Sequence, residues 1–157
     1  PADRRVVHGG TWNAVPITCA AGIAACDLYP DGAPQRTARA RANRFIRDAN
    51  LMFRRIGAPA RCYGRSIVHL YLGRPDPDRS DDATAPAATA QLMDSANAPI
   101  HQQLDLHLLE RGVATRRGEV FCFSAAHSEA DGDFTVAALE GAVSALLDDG
   151  VFRTLTV

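Results

Sequence analysis

The residues best suited to bind a ligand lie near the start of the chain, in the stretch VHGGTWNAVP at positions 7–16. Gly9 and Gly10 leave backbone N–H groups bare, Thr11 adds a hydroxyl group, and Pro16 stands where a helix is predicted to begin. Proline suits a first helical position because its missing N–H would have had no partner there. A glycine turn with free donors before a helix is a candidate phosphate cradle. A strand–turn–helix junction without any ligand has the same pattern, so both interpretations stay open at this point.

The histidines and cysteines show no metal-binding spacing. No cysteine pair has C-x-x-C spacing, and no histidine pair stands beside a suitable carboxylate, so no metal site is predicted. We expect buried free thiols, as in a cytoplasmic protein, at Cys19, Cys26, Cys62 and Cys122. His127 precedes the predicted last helix; it is a candidate pocket residue, and the alternative is a structural role at a strand–helix corner.

Length and charge exclude several classes of protein. The 157 residues are enough for one domain with its own core, and 46% hydrophobic residues is ordinary for a globular protein. The net charge of −1 gives no overall field that would attract nucleic acid, and no apolar run has the length of a membrane span. We therefore expect a cytoplasmic protein with neither nucleic acid nor membrane as a partner.

Four long helices should position these residues. The long helices are predicted over Pro16–Leu28, Pro34–Ile56, Pro99–Arg111 and from the Ser128 cap to Leu147, with a helical turn near Thr89–Met93. The second helix has an apolar stripe at Ala38, Ala42, Phe45, Ala49, Met52 and Ile56. In the last helix, Ser128 and Asp131 fit a capping box, and the inward face is predicted to be Phe134, Ala138, Ala142, Ala145 and Leu146.

Strands and one long loop fill the intervals between the helices. Strands are predicted over Arg61–Leu72 and Glu119–Ser124, with a short one at Val113–Thr115. Residues 74–97, rich in proline and aspartate, are predicted to be the loosest segment.

Arginine dominates the polar faces of the second helix. Seven arginines accompany the single acid Asp48 in this helix, and a basic helix can bind phosphate backbones. The chain lacks interleaved aromatic residues and any nucleic-acid motif, which favours an arginine surface that faces solvent or a protein partner.

Three ordered motifs resemble class III aminotransferases, which are pyridoxal-phosphate (PLP) enzymes of fold type I. The segment Gly10–Pro16, GTWNAVP, resembles the family's G-T-(aromatic)-x-x-N-P. The segment Leu108–Val113, LLERGV, resembles L-L-x-R-G-V, and Ser124–Asp131, SAAHSEAD, resembles S-x-A-H-T-E-x-D. The glutamate-semialdehyde aminomutase branch is the most similar, and the motifs correspond to the last part of such an enzyme.

The resemblance implies an α+β fold, with a small, mainly antiparallel sheet and packed helices, like the C-terminal domain of these enzymes. The whole chain would be one domain. Residues 1–14 would be a strand and turn segment and 15–29 a linking helix, both joining a missing large domain, with 30–157 as the small C-terminal domain. Gly10 and Thr11 would bind the phosphate of PLP, and Trp12, Asn13 and His127 would border the substrate pocket.

Composition limits what this chain can do by itself. All 17 basic residues are arginine, and there is no lysine to form the Schiff base that an aminotransferase needs. No catalytic residue is therefore predicted, and PLP is expected only with a lysine-bearing large-domain chain or second subunit, in a homo- or hetero-oligomer such as a dimer. The alternatives are a stand-alone degenerate domain that acts as a binding or assembly module or has cofactor-free chemistry, and, least favoured, an arginine-helix nucleic-acid binder.

Overall fold

The structure, a computed structural model, describes residues 9–93 and 97–152. The chain divides into two compact units, residues 1–33 and 34–157. Residues 1–8, which include most of the predicted N-terminal strand, lie outside the described part. The elements are α1 (Pro16–Cys26), α2 (Ala33–Ile56), β1 (Ala60–Gly64), β2 (Ile67–Leu72), α3 (Thr89–Leu92), α4 (Ala98–Glu110), β3 (Val120–Cys122) and α5 (Glu129–Asp148).

The first unit contains α1, a helix made mostly of small and apolar residues. Pro16 occupies its first turn as predicted, and the helix ends at Cys26, two residues before the predicted end. None of its residues is buried, and large apolar side chains are exposed at Ile17 and Ile23, with 77% and 66% of their surface accessible. This helix therefore contributes nothing to a core within the described chain.

In the second unit, α2 supplies one side of the core. The predicted stripe is confirmed at five of its six positions, which are buried, and Ile56 is partly buried against the core. Burying the apolar face of a 24-residue helix requires a second layer, and the sheet together with α4 and α5 provides it.

The predicted single strand over Arg61–Leu72 is wrong, because this segment is a hairpin of β1 and β2. The chain turns after Gly64, whose φ of +122° is favourable for glycine; a Cβ there would lie 2.5 Å from the carbonyl oxygen of Ile67. Strand-forming residues flank the turn on both sides, so the sequence pattern resembles one strand with an internal glycine.

The sheet has three antiparallel strands in the order β1-β2-β3. The register pairs Cys62 with Leu70 and Val68 with Phe121, and these four buried side chains form the core face of the sheet. The helices complete the core with Phe45, Ile46, Phe53, Leu104, Leu108, Leu139, Val143 and Leu146. The predicted α+β fold class, with a small antiparallel sheet and packed helices, is confirmed.

Asp82 fixes the middle of the segment that was predicted to be loosest. Its Oδ1 accepts hydrogen bonds from Arg61 Nη2 at 2.9 Å and from Asn50 Nδ2 at 3.1 Å. Its carbonyl accepts from the Gly64 amide at 2.8 Å. The loop is therefore attached both to α2 and to the outer edge of β1.

Asp105 on α4 organises the connection to β3. Its Oδ1 accepts from Thr115 Oγ1 at 2.5 Å and from the Gly118 amide at 3.0 Å. The strand predicted at Val113–Thr115 is therefore wrong, since the side chain of α4 holds this stretch as a loop without a partner strand among the described residues.

The capping box of α5 is confirmed. Ser128 Oγ accepts from the Asp131 amide at 3.2 Å, and Asp131 Oδ2 accepts from the Ser128 amide at 2.7 Å. The predicted inward position of Phe134 is wrong, because 55% of this side chain is exposed. The buried face begins one turn later, at Ala138.

Ion pairs join α2 to α5. Arg44 contacts Glu129 and Asp133, each at 2.7 Å, Arg41 contacts Glu129 at 2.5 Å, and Arg55 contacts Glu140 at 2.6 Å. Much of the basic surface predicted for α2 is thus neutralised by acids from a neighbouring helix.

The prediction of four buried thiols holds for one cysteine. Cys62 is fully buried, and burial raises the pKa of its thiol, whereas Cys19, Cys26 and Cys122 are exposed. Two of the exposed cysteines lie on α1, and Cys122 lies on the sheet face opposite the core. In the ranges 9–93 and 97–152, no helix combines the length and apolar character required to span a membrane.

Candidate functional site

The predicted phosphate-binding residues form a tight turn in the first unit. The Asn13 amide donates to the Gly10 carbonyl at 3.1 Å, and Ala14 adopts a left-handed φ of 58° before α1 begins. Gly10 has φ +150°, and a Cβ there would lie 3.2 Å from Asn13 Nδ2. Glycine is therefore favoured at this position, both by its conformation and by the close Asn13 side chain.

The outer side of this turn carries unused donors. Thr11 and Trp12 are exposed, with 77% of the Trp12 surface accessible. Within the described part of the chain, no hydrogen bond uses the Thr11 hydroxyl or amide. Val15 at the helix N-cap position offers no side-chain acceptor to the first turn of α1. The outer side of the turn can therefore offer the Thr11 N–H and O–H groups to an anion.

His127 belongs to the second unit, in the loop before α5. Its Nδ1 accepts the Ser124 amide N–H at 3.0 Å and lies 3.0 Å from Ser124 Oγ. The Phe123 ring packs against the imidazole, with the two centroids 5.6 Å apart. Because Nδ1 stabilises the loop, only Nε2 remains for a ligand in the adjoining cavity of about 300 Å³.

Asp131 is the charged group nearest to this histidine in the cavity wall. Hydrogen bonds from the Ser128 amide and hydroxyl hold the pKa of the Asp131 carboxyl below its usual range. The carboxylate therefore stays ionised as a helix cap.

A second cavity, of about 430 Å³, lies on the sheet face opposite the core. Tyr63, His69 and Tyr71 line it from the hairpin, and His101 lines it from α4. Sequence reasoning missed this site because it predicted one strand where two antiparallel strands pair Tyr63 with His69. A usable signal was present, since His101 falls on the apolar stripe of α4 with Ile100, Leu104 and Leu108.

No family profile matches the sequence. No curated protein matches it either. Solved structures do match: an omega-transaminase from Sphaerobacter thermophilus superposes with a TM-score of 0.68 at 21% identity over 88% of this chain. The chain has the fold of part of a transaminase.

Two further transaminases give the same result. A transaminase with PLP bound gives a TM-score of 0.67 at 17% identity, and an (S)-enantioselective omega-transaminase from Thermomicrobium roseum gives 0.62 at 18% identity. Each match covers 92% of this chain. The chain spans about 30% of the length of these transaminases.

The turn at Gly10 and Thr11 fits one part of PLP, the cofactor named for the second transaminase. The free donors at Gly10 and Thr11 are suited to a phosphate group, because backbone N–H and hydroxyl groups bind oxyanions well. These 157 residues include no lysine, so by themselves they offer no lysine amine for covalent attachment of PLP.

Proposed function

We propose that this chain is the C-terminal portion of a class III PLP-dependent aminotransferase or aminomutase. It completes the active site of a lysine-bearing large domain, which is part of a longer polypeptide or of a second subunit. The observation that carries the proposal is the superposition over 88% of this chain, which covers 30% of a transaminase. The order of the three motifs supports the class III assignment and the similarity to glutamate-semialdehyde aminomutases.

The exposed helix α1 supports the need for a large domain. Most residues of this helix are apolar or small, yet none of them is buried. Trp12 and Leu28, which flank the helix in sequence, are also exposed. Extended apolar surface of this kind marks an interaction site. The large domain is the partner that covers it in this proposal, and the assembly is a homo- or hetero-oligomer.

Each candidate residue has a role in the assembled site. Gly10 and Thr11 donate backbone N–H and hydroxyl groups to the PLP phosphate. Trp12 and Asn13, on the same turn, are the pocket residues of the first unit. His127 is the candidate pocket residue of the second unit and has Nε2 free of the loop contact made by Nδ1. PLP, when bound, supplies the electron sink for chemistry at the carbon that carries the amine.

Native mass spectrometry of the protein purified from its natural source tests the proposal. We expect a species that combines these residues with lysine-bearing large-domain sequence and carries the mass of PLP. In that species, Thr11→Ala should raise the dissociation constant of PLP by about tenfold, because one hydrogen bond to a charged group is lost. Thr37→Ala, at an exposed position on α2, is the matched control and should leave the constant unchanged.

A species that contains neither a large domain nor PLP would overturn this proposal. It would favour the alternative, a stand-alone degenerate aminotransferase-like domain that serves as a binding or assembly module or carries out cofactor-free chemistry.

A further inference from the structure

His101, a residue with little exposed surface, lines the cavity of about 430 Å³. The side chain is only 9% exposed, and its Nδ1 lies 3.2 Å from the Gly118 carbonyl oxygen. A carbonyl oxygen can only accept, so Nδ1 carries the proton and Nε2 has a free lone pair. Among residues 9–93 and 97–152, none donates a hydrogen bond to Nε2.

Burial also determines the charge of this imidazole. Desolvation lowers the pKa of His101, and its effect outweighs the opposing effects of the Gly118 carbonyl and of Glu119. The ring is therefore neutral near pH 7 and acts as an acceptor rather than as a cation.

The hairpin supplies an aromatic wall. The rings of Tyr63 and His69 stack with their centroids 5.4 Å apart and an angle of 27° between their planes. Tyr71, 8% exposed, adds a third ring. Ring faces of this kind attract cations through their quadrupoles.

Glu119 provides negative charge at the edge of the cavity. Its backbone is fixed, because its carbonyl accepts from the Leu70 amide at 2.7 Å and its amide donates to the Arg116 carbonyl at 3.2 Å. Its side chain makes no ion pair with any described residue, and no arginine is among the described residues of the lining, although the chain has 17 arginines.

We propose that this cavity binds a small organic cation with N–H donors, specifically a primary amine in its protonated form. The ammonium group lies between the Glu119 carboxylate and His101 Nε2, and the apolar part packs on the Tyr63 and His69 rings. The volume is within the range of small-molecule sites. The inference is independent of the proposed function, because it requires neither lysine nor PLP and because this cavity shares no described lining residue with the cavity beside His127.

Isothermal titration of the purified chain with three ligands of similar shape tests the charge preference. Benzylamine carries the positive charge, benzyl alcohol is neutral and benzoate is negative. We expect saturable binding of benzylamine with a dissociation constant of roughly 1 mM, at least tenfold weaker binding of benzyl alcohol, and none of benzoate. No saturation by benzylamine up to about 10 mM, or equal binding of the alcohol, would overturn the proposal.

Two substitutions test the location. Glu119→Gln keeps the shape of an exposed side chain and should weaken benzylamine binding about two- to fivefold, which is the size expected for one exposed charge pair. The matched control is Glu110→Gln, which removes an exposed carboxylate from α4 outside this cavity and should leave the affinity unchanged. Equal effects of the two substitutions, or no effect of Glu119→Gln, would refute the assignment.

Discussion

Asn50 is a buried amide on α2 that satisfies the outer edge of β1. Its Oδ1 accepts from the Cys62 amide at 2.8 Å, and its Nδ2 donates to the Cys62 carbonyl at 2.9 Å. These backbone groups face away from β2, and none of the described strands pairs with β1 on that side. One side chain thus replaces a neighbouring strand and protects an exposed sheet edge.

Replacing Asn50 with alanine should therefore be strongly destabilising. It leaves the buried N–H and C=O of Cys62 without partners, which costs about 2–4 kcal/mol of unfolding free energy. Urea unfolding measures the loss. Asn43→Ala, at an exposed position of the same helix, should change the free energy by less than about 0.5 kcal/mol. Similar losses in both variants would contradict this role of Asn50.

His101 should make the stability depend on pH. Burial holds its pKa in the folded state below the value of about 6.5 that it has in the unfolded chain. The unfolded state then binds the proton more readily, so the unfolding free energy decreases as the pH falls below about 6.5. Urea unfolding at about pH 7.5 and about pH 5.5 measures this decrease.

A pair of histidine variants isolates the contribution of His101. In His101→Gln, the difference in unfolding free energy between the two pH values should be smaller than in the original chain. His107→Gln removes a partly exposed histidine of the same helix and should retain the difference. An undiminished pH dependence in His101→Gln would contradict the assignment.

At the level of elements, the N-terminus of α5 depends on one hydroxyl group. Ser128→Ala removes the acceptor of the Asp131 amide and should lower the unfolding free energy by about 1 kcal/mol, as for other N-cap serines. Chemical denaturation measures the loss. Ser144→Ala, in the interior of the same helix, is the matched control, with an expected change below about 0.5 kcal/mol. If the two alanine variants are equally stable, the cap contributes nothing.

Local signals predicted the helices well. Pro16, the apolar stripe of α2, and the Ser128–Asp131 pair are chemical signals confined to a few neighbouring residues, and each was confirmed. The hairpin was missed because its turn depends on the backbone conformation of Gly64, and the same residue type also occurs inside strands.

Exposure was predicted less well than secondary structure. Phe134 fits the periodicity of a buried face but lies one turn before the part of α5 that packs on the core. Cys19 and Cys26 lie in an apolar sequence, which is normally buried, yet no residue of α1 is buried. Burial depends on which elements meet, and this information is not contained in a local pattern.

At the scale of the whole molecule, every core residue that the structure describes belongs to the second unit. All buried members of this core lie between Ala42 and Phe152, and α1 contributes none. Deleting residues 1–28 keeps Asp31, whose Oδ1 accepts from the Ala33 amide at the start of α2. We expect the midpoint of thermal unfolding to change by less than about 4 °C, the equivalent of roughly 1 kcal/mol.

The same deletion should reduce self-association in size-exclusion chromatography, because it removes the exposed Ile17 and Ile23. It should also abolish PLP binding by the lysine-bearing assembly under the proposed function. A large loss of thermal stability would show instead that the second unit requires α1.

The sequence by itself determined the long helices, the Ser128 cap of α5, the absence of a lysine and the similarity to part of a transaminase. These features follow from residue type and short-range spacing, because caps and apolar stripes act over one or two turns. The tertiary structure decided the hairpin, the attachment of the Asp82 loop, the pairing of α2 arginines with α5 acids and the cavity beside His101. Each of these depends on contacts between residues far apart in the chain, and their geometry exists only when the sheet and helices are packed together.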